Sequence, residues 1–155
     1  MACDVRISLI TPASPHYPAA RRLRYEVLRR PLGRPEGSEC FAHEHESLHF
    51  VALRGDEVVG CVMFYPQGAD TGRLLQMAVS PAWQGRGVGR LLVTVLEREV
   101  TTRGIVEVTL HARAHVTAFY EKLGYEAYGE PYEEVGIAHR SMRKTLCVKF
   151  DCHHS

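Results

Sequence analysis

No stretch of this chain approaches the ~20 consecutive apolar residues that a bilayer span needs, and its first residues, Met1-Ala2-Cys3-Asp4-Val5-Arg6, lack the apolar core of a secretory signal. Membrane insertion and export are therefore not expected. Net charge is nearly absent: 19 Lys and Arg against 18 Asp and Glu leave +1, too little for a nucleic-acid or membrane-surface footprint. Cysteine spacing is missing as well. Cys3, Cys40, Cys61, Cys147 and Cys152 are odd in number and contain no C-x-x-C, so reduced, mostly structural thiols in a cytoplasmic protein are expected. A zinc site is the sharper alternative, because His43, His45 and His49 share one segment and Cys152-His153-His154 another. No ligand pair among them has zinc-finger spacing, and no metal is expected. What remains is ordinary: 155 residues, 45% hydrophobic and 24% charged, fit one domain over 1–150 with a short tail at 151–155.

The informative segment is Gln84-Gly85-Arg86-Gly87-Val88-Gly89. Before it, Arg73 to Val79 reads as a strand closed by Ser80-Pro81; after it, Val88, Leu91, Leu92, Val95 and Leu96 recur with the i, i+3, i+4, i+7, i+8 spacing of one helical face. A glycine turn between a strand and a helix start can hold phosphate on main-chain N–H groups, helped by the partial positive charge of the helix end. Arg86 adds a full charge. Two familiar phosphate motifs fail. G-x-G-x-x-G does not fit the spacing from Gly85 or from Gly87, and no lysine follows the glycines as a P-loop requires.

The spacing that does fit, Q-x-x-G-x-G through Gln84, Gly87 and Gly89, resembles the signature of the GNAT acetyltransferase superfamily. Ala118-Phe119-Tyr120-Glu121-Lys122-Leu123-Gly124-Tyr125 is similar to a second segment of many such enzymes, a tyrosine-bearing helix stopped at a glycine. Gly136 to Lys144 is similar to the last strand of small bacterial members. The resemblance runs from about Leu74 to Lys144. It implies acetyl-CoA (coenzyme A) as co-substrate, with the pyrophosphate on Gln84, Gly85, Arg86, Gly87, Val88, Gly89 and Arg90. Pantetheine would lie along Met77, Ala78 and Val79, and the Met77 amide would face the acetyl carbonyl. It further implies Tyr120 as general acid, since a phenol with an unperturbed pKa near 10 is protonated at neutral pH. Many relatives carry an asparagine about seven residues before that tyrosine. Here the position is Arg113.

The remaining chain is read from pattern. Asp4 to Ile10 alternates as a half-buried strand, and Tyr17 to Arg29 places Ala20, Leu23, Val27 and Leu28 on a helical face whose many arginines are expected in solvent. Pro31 to Ser47 is a polar loop. Leu48 to Leu53 and Glu57 to Tyr65 flank Arg54-Gly55-Asp56 as a hairpin. Ile105 to Leu110, a helix from Ala114 to Leu123, a strand around Tyr125 to Glu130 and a strand from Ala138 to Val148 complete the order β, α, β, β, β, α, β, α, β, β. That order indicates a mixed α/β (α+β) sheet. The resemblance makes it a GNAT-like fold, mostly antiparallel, of six to seven strands flanked by about four helices, splayed between the fourth and fifth strands.

Acyl transfer also needs a base. Glu44, Glu46, Glu133, Glu134 and His139 can each accept a proton; His139 is preferred because imidazole titrates near neutrality, while His45 and Glu46 could shape an acceptor pocket. The expected activity is an acetyl-CoA-dependent N-acetyltransferase acting on a primary amine by direct attack, the alternative a non-catalytic acyl-CoA sensor. A homodimer is compatible with either; nucleic acid and membrane are not expected partners.

Overall fold

The computed structural model describes residues 4–146. Ten regular elements follow the order expected from the pattern: β1 (Arg6–Ile10), α1 (Tyr17–Arg24), β2 (Leu48–Arg54), β3 (Glu57–Pro66), β4 (Thr71–Val79), α2 (Val88–Thr102), β5 (Glu107–Arg113), α3 (Thr117–Lys122), β6 (Glu126–Glu134) and β7 (Ile137–Thr145). The strands form a seven-stranded sheet in the order β1-β2-β3-β4-β5-β7-β6. Three α-helices stand among the described residues where about four were expected. The first continues into a π-helical turn (Tyr25–Arg29) and a 3-10 turn (Arg30–Leu32) that ends at Gly33, and 3-10 turns occur at Glu44–Glu46, Pro81–Trp83 and Ala114–Val116.

The chain folds as two compact units, residues 4–65 with 75–98 and residues 66–74 with 99–146. In the first, β2 and β3 are buried almost throughout, and they pair in antiparallel register from Leu48↔Phe64 to Arg54↔Glu57. The two-residue loop Gly55-Asp56 joins them, with Gly55 at φ +60° as the first position of a II′ turn favours. α1 and the π-helical turn after it lay Ala20, Leu23, Val27 and Leu28 on Val51, Leu53, Cys61 and Ala78. α2 approaches β3 at Gly60, where a Cβ would meet Val88 Cγ1 at 3.0 Å and Leu92 Cδ1 at 3.1 Å. Val88, Leu92, Val93, Leu96 and Val100 are buried along α2.

In the second unit β5 pairs antiparallel with β7 from Glu107↔Thr145 to Arg113↔His139, and β6 covers the other edge of β7. The ladder of β4 with β5 is parallel, over Thr71–Arg73. β6 runs past Glu130, where the sequence pattern stopped it. The register shifts between Tyr128 and Tyr132, and this irregularity absorbs Gly129 and Pro131, residues that would otherwise break a strand. β7 ends at Thr145 rather than Val148, which lies outside the described residues. α3 closes on a Schellman arrangement: Tyr125 N–H donates to Tyr120 C=O at 3.1 Å and Gly124 N–H to Glu121 C=O at 3.0 Å, with Gly124 at φ +97°.

Candidate active site

The glycine turn sits in the first unit between β4 and α2. Gln84, Gly85, Arg86 and Gly87 are exposed, while Trp83 before them and Val88 after them are buried and anchor the turn at both ends. Gly85 and Gly87 have φ +77° and +86°, a region that a side chain penalises. The first hydrogen bond across the loop-to-helix junction is Leu91 N–H to Gly87 C=O at 3.0 Å. Val88, Gly89 and Arg90 precede it, so their N–H groups have no carbonyl one turn earlier within the helix and face the N-terminal end as donors. The Gln84 side-chain amide donates to Val79 C=O at 2.9 Å, pinning the loop to the end of β4. Arg86 lies 4.9 Å from the centre of the Trp83 ring and Arg54 lies 5.1 Å from it, a contact that restrains both guanidinium groups near the turn. From the sequence Arg54 is only a residue of the hairpin turn. Its position beside the loop depends on the β2–β3 hairpin.

β4 reaches this loop through an irregularity. Gln76 has φ +53°, a left-handed value inside a strand, followed by Met77, Ala78 and Val79. Such a residue turns the next peptide out of the ladder's alternation, as in a bulge. Behind it lies a polar cluster that corrects the expectation of a solvated arginine face on α1. Arg24 is only 1% exposed. Its Nη2 donates to Glu44 Oε1 at 2.5 Å and to Glu39 C=O, its Nη1 to Glu44 Oε2 at 3.1 Å, and its Nε to Gln76 Oε1 at 3.2 Å. Tyr17 O–H adds a hydrogen bond to Glu44 Oε2 at 2.9 Å, and His49 Nε2–H donates to Glu44 C=O at 2.7 Å. Burial opposes the Glu44 charge, but the Arg24 hydrogen bonds and charge, with the Tyr17 hydroxyl, outweigh it and hold the carboxyl below its ordinary range. Burial and the Glu44 carboxylate push the Tyr17 phenol up to about 12. The physical reason for the correction is visible in the spacing: Arg24 stands four residues after Ala20 and three before Val27, within the apolar stripe.

Other loop candidates are differently placed. Glu44 is committed to Arg24; Glu46 is exposed and pairs with His43 at 2.9 Å; His45 is exposed. His43 stacks on Tyr65 at 4.5 Å. Among the described residues no three His, Cys, Asp or Glu side chains converge as a metal-binding group, and Cys152-His153-His154 lie outside them.

In the second unit Tyr120 is buried, its ring edge-on to Phe119 at 5.0 Å and to Tyr125 at 5.7 Å; burial raises its pKa, so the phenol holds its proton. His139 is buried on β7 and stacks on Tyr132 at 5.5 Å. Its Nδ1 lies 2.8 Å from Ile137 C=O, which can only accept, so Nδ1 carries a hydrogen and the neutral ring is the tautomer with its lone pair on Nε2. Glu134 Oε2 is 3.9 Å from that Nε2, while Glu133 is exposed and faces Ala138 across the hairpin. His111 joins the cluster edge-on to Tyr132 at 6.0 Å, with Ser141 Oγ 3.2 Å from its Nδ1. The β5–β7 and β6–β7 pairings together assemble this group, which alternation alone could not reveal. Arg113 lies on the last position of β5, opposite His139.

Comparison with known proteins gives this geometry its context. The family model described as acetyltransferase (GNAT) domain matches residues 32–146 and so draws on both units. An uncharacterized N-acetyltransferase of Bacillus subtilis, YitI, is 31% identical over 134 residues, spanning 79% of this chain and 89% of that protein. A solved structure from Lactobacillus plantarum assigned to the N-acetyltransferases superposes with a TM-score of 0.84 at 26% identity, covering 92% of this chain and 99% of that one. An aminoglycoside 6'-N-acetyltransferase complexed with coenzyme A shares the fold, with a TM-score of 0.77 at 23% identity over 90% of this chain and 96% of that one.

Proposed function

We propose that this chain, an N-acetyltransferase enzyme that belongs to the GNAT acetyltransferase family, transfers an acetyl group from acetyl-CoA to a primary amine of a small molecule, peptide or protein by direct attack in a ternary complex. The observation that carries the reading is the exposed glycine turn with unspent N–H groups at the start of α2. Its positive-φ glycines, open surroundings at Gly85 and adjacent Arg86 suit a pyrophosphate. Gly85 to Arg90 would hold that group, and Gln84 would keep the turn against β4. When bound, acetyl-CoA supplies an acyl carbon already activated as a thioester.

The chain's own residues then have separable tasks. The Met77 N–H, redirected by Gln76, polarises the acyl carbonyl, while Ala78 and Val79 line the pantetheine path. His139 Nε2 takes the proton released as the amine nitrogen bonds to the acyl carbon. As the carbon–sulfur bond breaks, Tyr120 O–H protonates the departing thiolate. The active form is cytoplasmic and uses no metal. The deciding experiment incubates the protein with acetyl-CoA and a panel of primary amines and reads free thiol. Amine-dependent thiol release is expected. Binding of coenzyme A without thiol release on any amine would convert the reading to a sensor, and no binding at all would refute it.

A further inference from the structure

Gln76 adopts φ +53° without being glycine, in the middle of β4, so the surroundings must hold a conformation that the residue itself disfavours. The structure shows one polar grip on its side chain, the hydrogen bond from Arg24 Nε to Oε1 at 3.2 Å. Arg24 has no slack to lend. Its other guanidinium nitrogens are held by both oxygens of Glu44 and by Glu39 C=O, and Glu44 is held in turn by Tyr17 O–H at 2.9 Å and by Phe41 N–H at 3.4 Å. A buried ion pair is a poor choice for stability alone, since apolar residues of similar volume commonly serve as well. An arginine placed in an apolar stripe, with its Nε–H directed to the single left-handed residue of β4, has a more specific use.

We propose that Arg24 is a positioning residue. Through the Gln76 side chain it fixes the turned peptide of β4, and so keeps the Met77 N–H aimed for the acyl carbonyl. The inference rests on the proposed acetyl-CoA reaction and adds the means by which the carbonyl-binding amide is held. Glycine at position 76 would reach the same φ without a tether, whereas alanine would not. The two substitutions therefore separate a conformational role from mere loss of a side chain.

The test uses the full chain with [1-13C]acetyl-CoA, reading the thioester carbonyl stretch by difference infrared spectroscopy and affinity by calorimetry. In the unsubstituted protein the bound band shifts to lower wavenumber than in free solution. In Gln76→Ala the band returns most of the way to the free position and kcat falls tenfold or more on any accepted amine, while affinity for acetyl-CoA, set mainly by the glycine turn, stays within threefold. Gln76→Gly keeps the shifted band. Arg24→Lys keeps a charge beside Glu44 but offers no Nε–H fork, and it should behave like Gln76→Ala, so the readout survives if one variant fails to fold. An unshifted parent band, or a Gln76→Ala band identical to the parent's, overturns the positioning role while leaving cofactor binding intact. Equal loss of affinity and melting temperature in the alanine and glycine variants also overturns it, in favour of a purely structural part. Failure of the unsubstituted protein to bind acetyl-CoA at all overturns the underlying functional reading instead.

Discussion

Replacing Gly87 by valine tests the phosphate cradle at its most constrained point. At φ +86° a β-branched side chain is strained, and the backbone must rotate toward negative φ, turning the neighbouring N–H groups away from their common focus. A ligand that binds only the folded chain at a thousand times its Kd stabilises it by about 4.1 kcal/mol. For a protein of this size each kcal/mol moves the melting temperature by roughly 2–4 °C, so coenzyme A should raise it by about 8–16 °C. A hundredfold loss of affinity in Gly87→Val leaves the same ligand concentration at about ten times Kd, worth about 1.4 kcal/mol. The shift should then shrink to about 3–6 °C. Differential scanning fluorimetry with and without coenzyme A measures both. Gly55→Val provides the control, because Gly55 also has positive φ, at +60°, but sits in the β2–β3 turn. Both variants should melt earlier when unliganded, and only Gly87→Val should lose the ligand response. A full response in Gly87→Val, or equal losses in the two, would refute the cradle.

Tyr120→Phe keeps the ring contacts with Phe119 and Tyr125, so coenzyme A should still raise the melting temperature, while thiol release slows by about 10²-fold or more; an unchanged rate removes the phenol from the mechanism. Arg24→Ala leaves Glu44 buried without its cation and should cost about 3–5 kcal/mol in urea unfolding, whereas joint replacement of Arg24 by Met and Glu44 by Leu should cost much less; equal costs would mean the pair is not the coupled unit the geometry shows. Burial holds His49 below its usual pKa despite the nearby Glu44, so its contribution to stability is complete above pH 6.5 and is lost as the pH falls below that value. Melting temperature should decline from pH 7.5 to 5, less steeply in His49→Asn, and identical slopes would remove His49 from the pH response.

Local patterns carried much of this molecule. The apolar face of α2 is readable from Val88, Leu92 and Leu96 because a helix repeats every 3.6 residues, and the turn before it is readable because glycine marks backbone that other residues resist. Gly124 announced the end of α3 for the same reason, and the Schellman bonds follow from it. The Arg24 cluster was not readable in that way. Its partners Glu39, Glu44 and Gln76 lie 15, 20 and 52 residues away, and nothing local says which of several arginines on α1 will find a buried carboxylate. One clue was present. An arginine within an apolar stripe must either break the stripe or be neutralised inside it, and burial without a partner is the more costly alternative. Gln76, the one polar residue in Leu74-Leu75-Gln76-Met77-Ala78-Val79, poses the complementary question from the strand. Two polar residues in otherwise apolar patterns are each a defect alone. Together they satisfy one another, and the strained peptide between Gln76 and Met77 is what that pairing leaves in place.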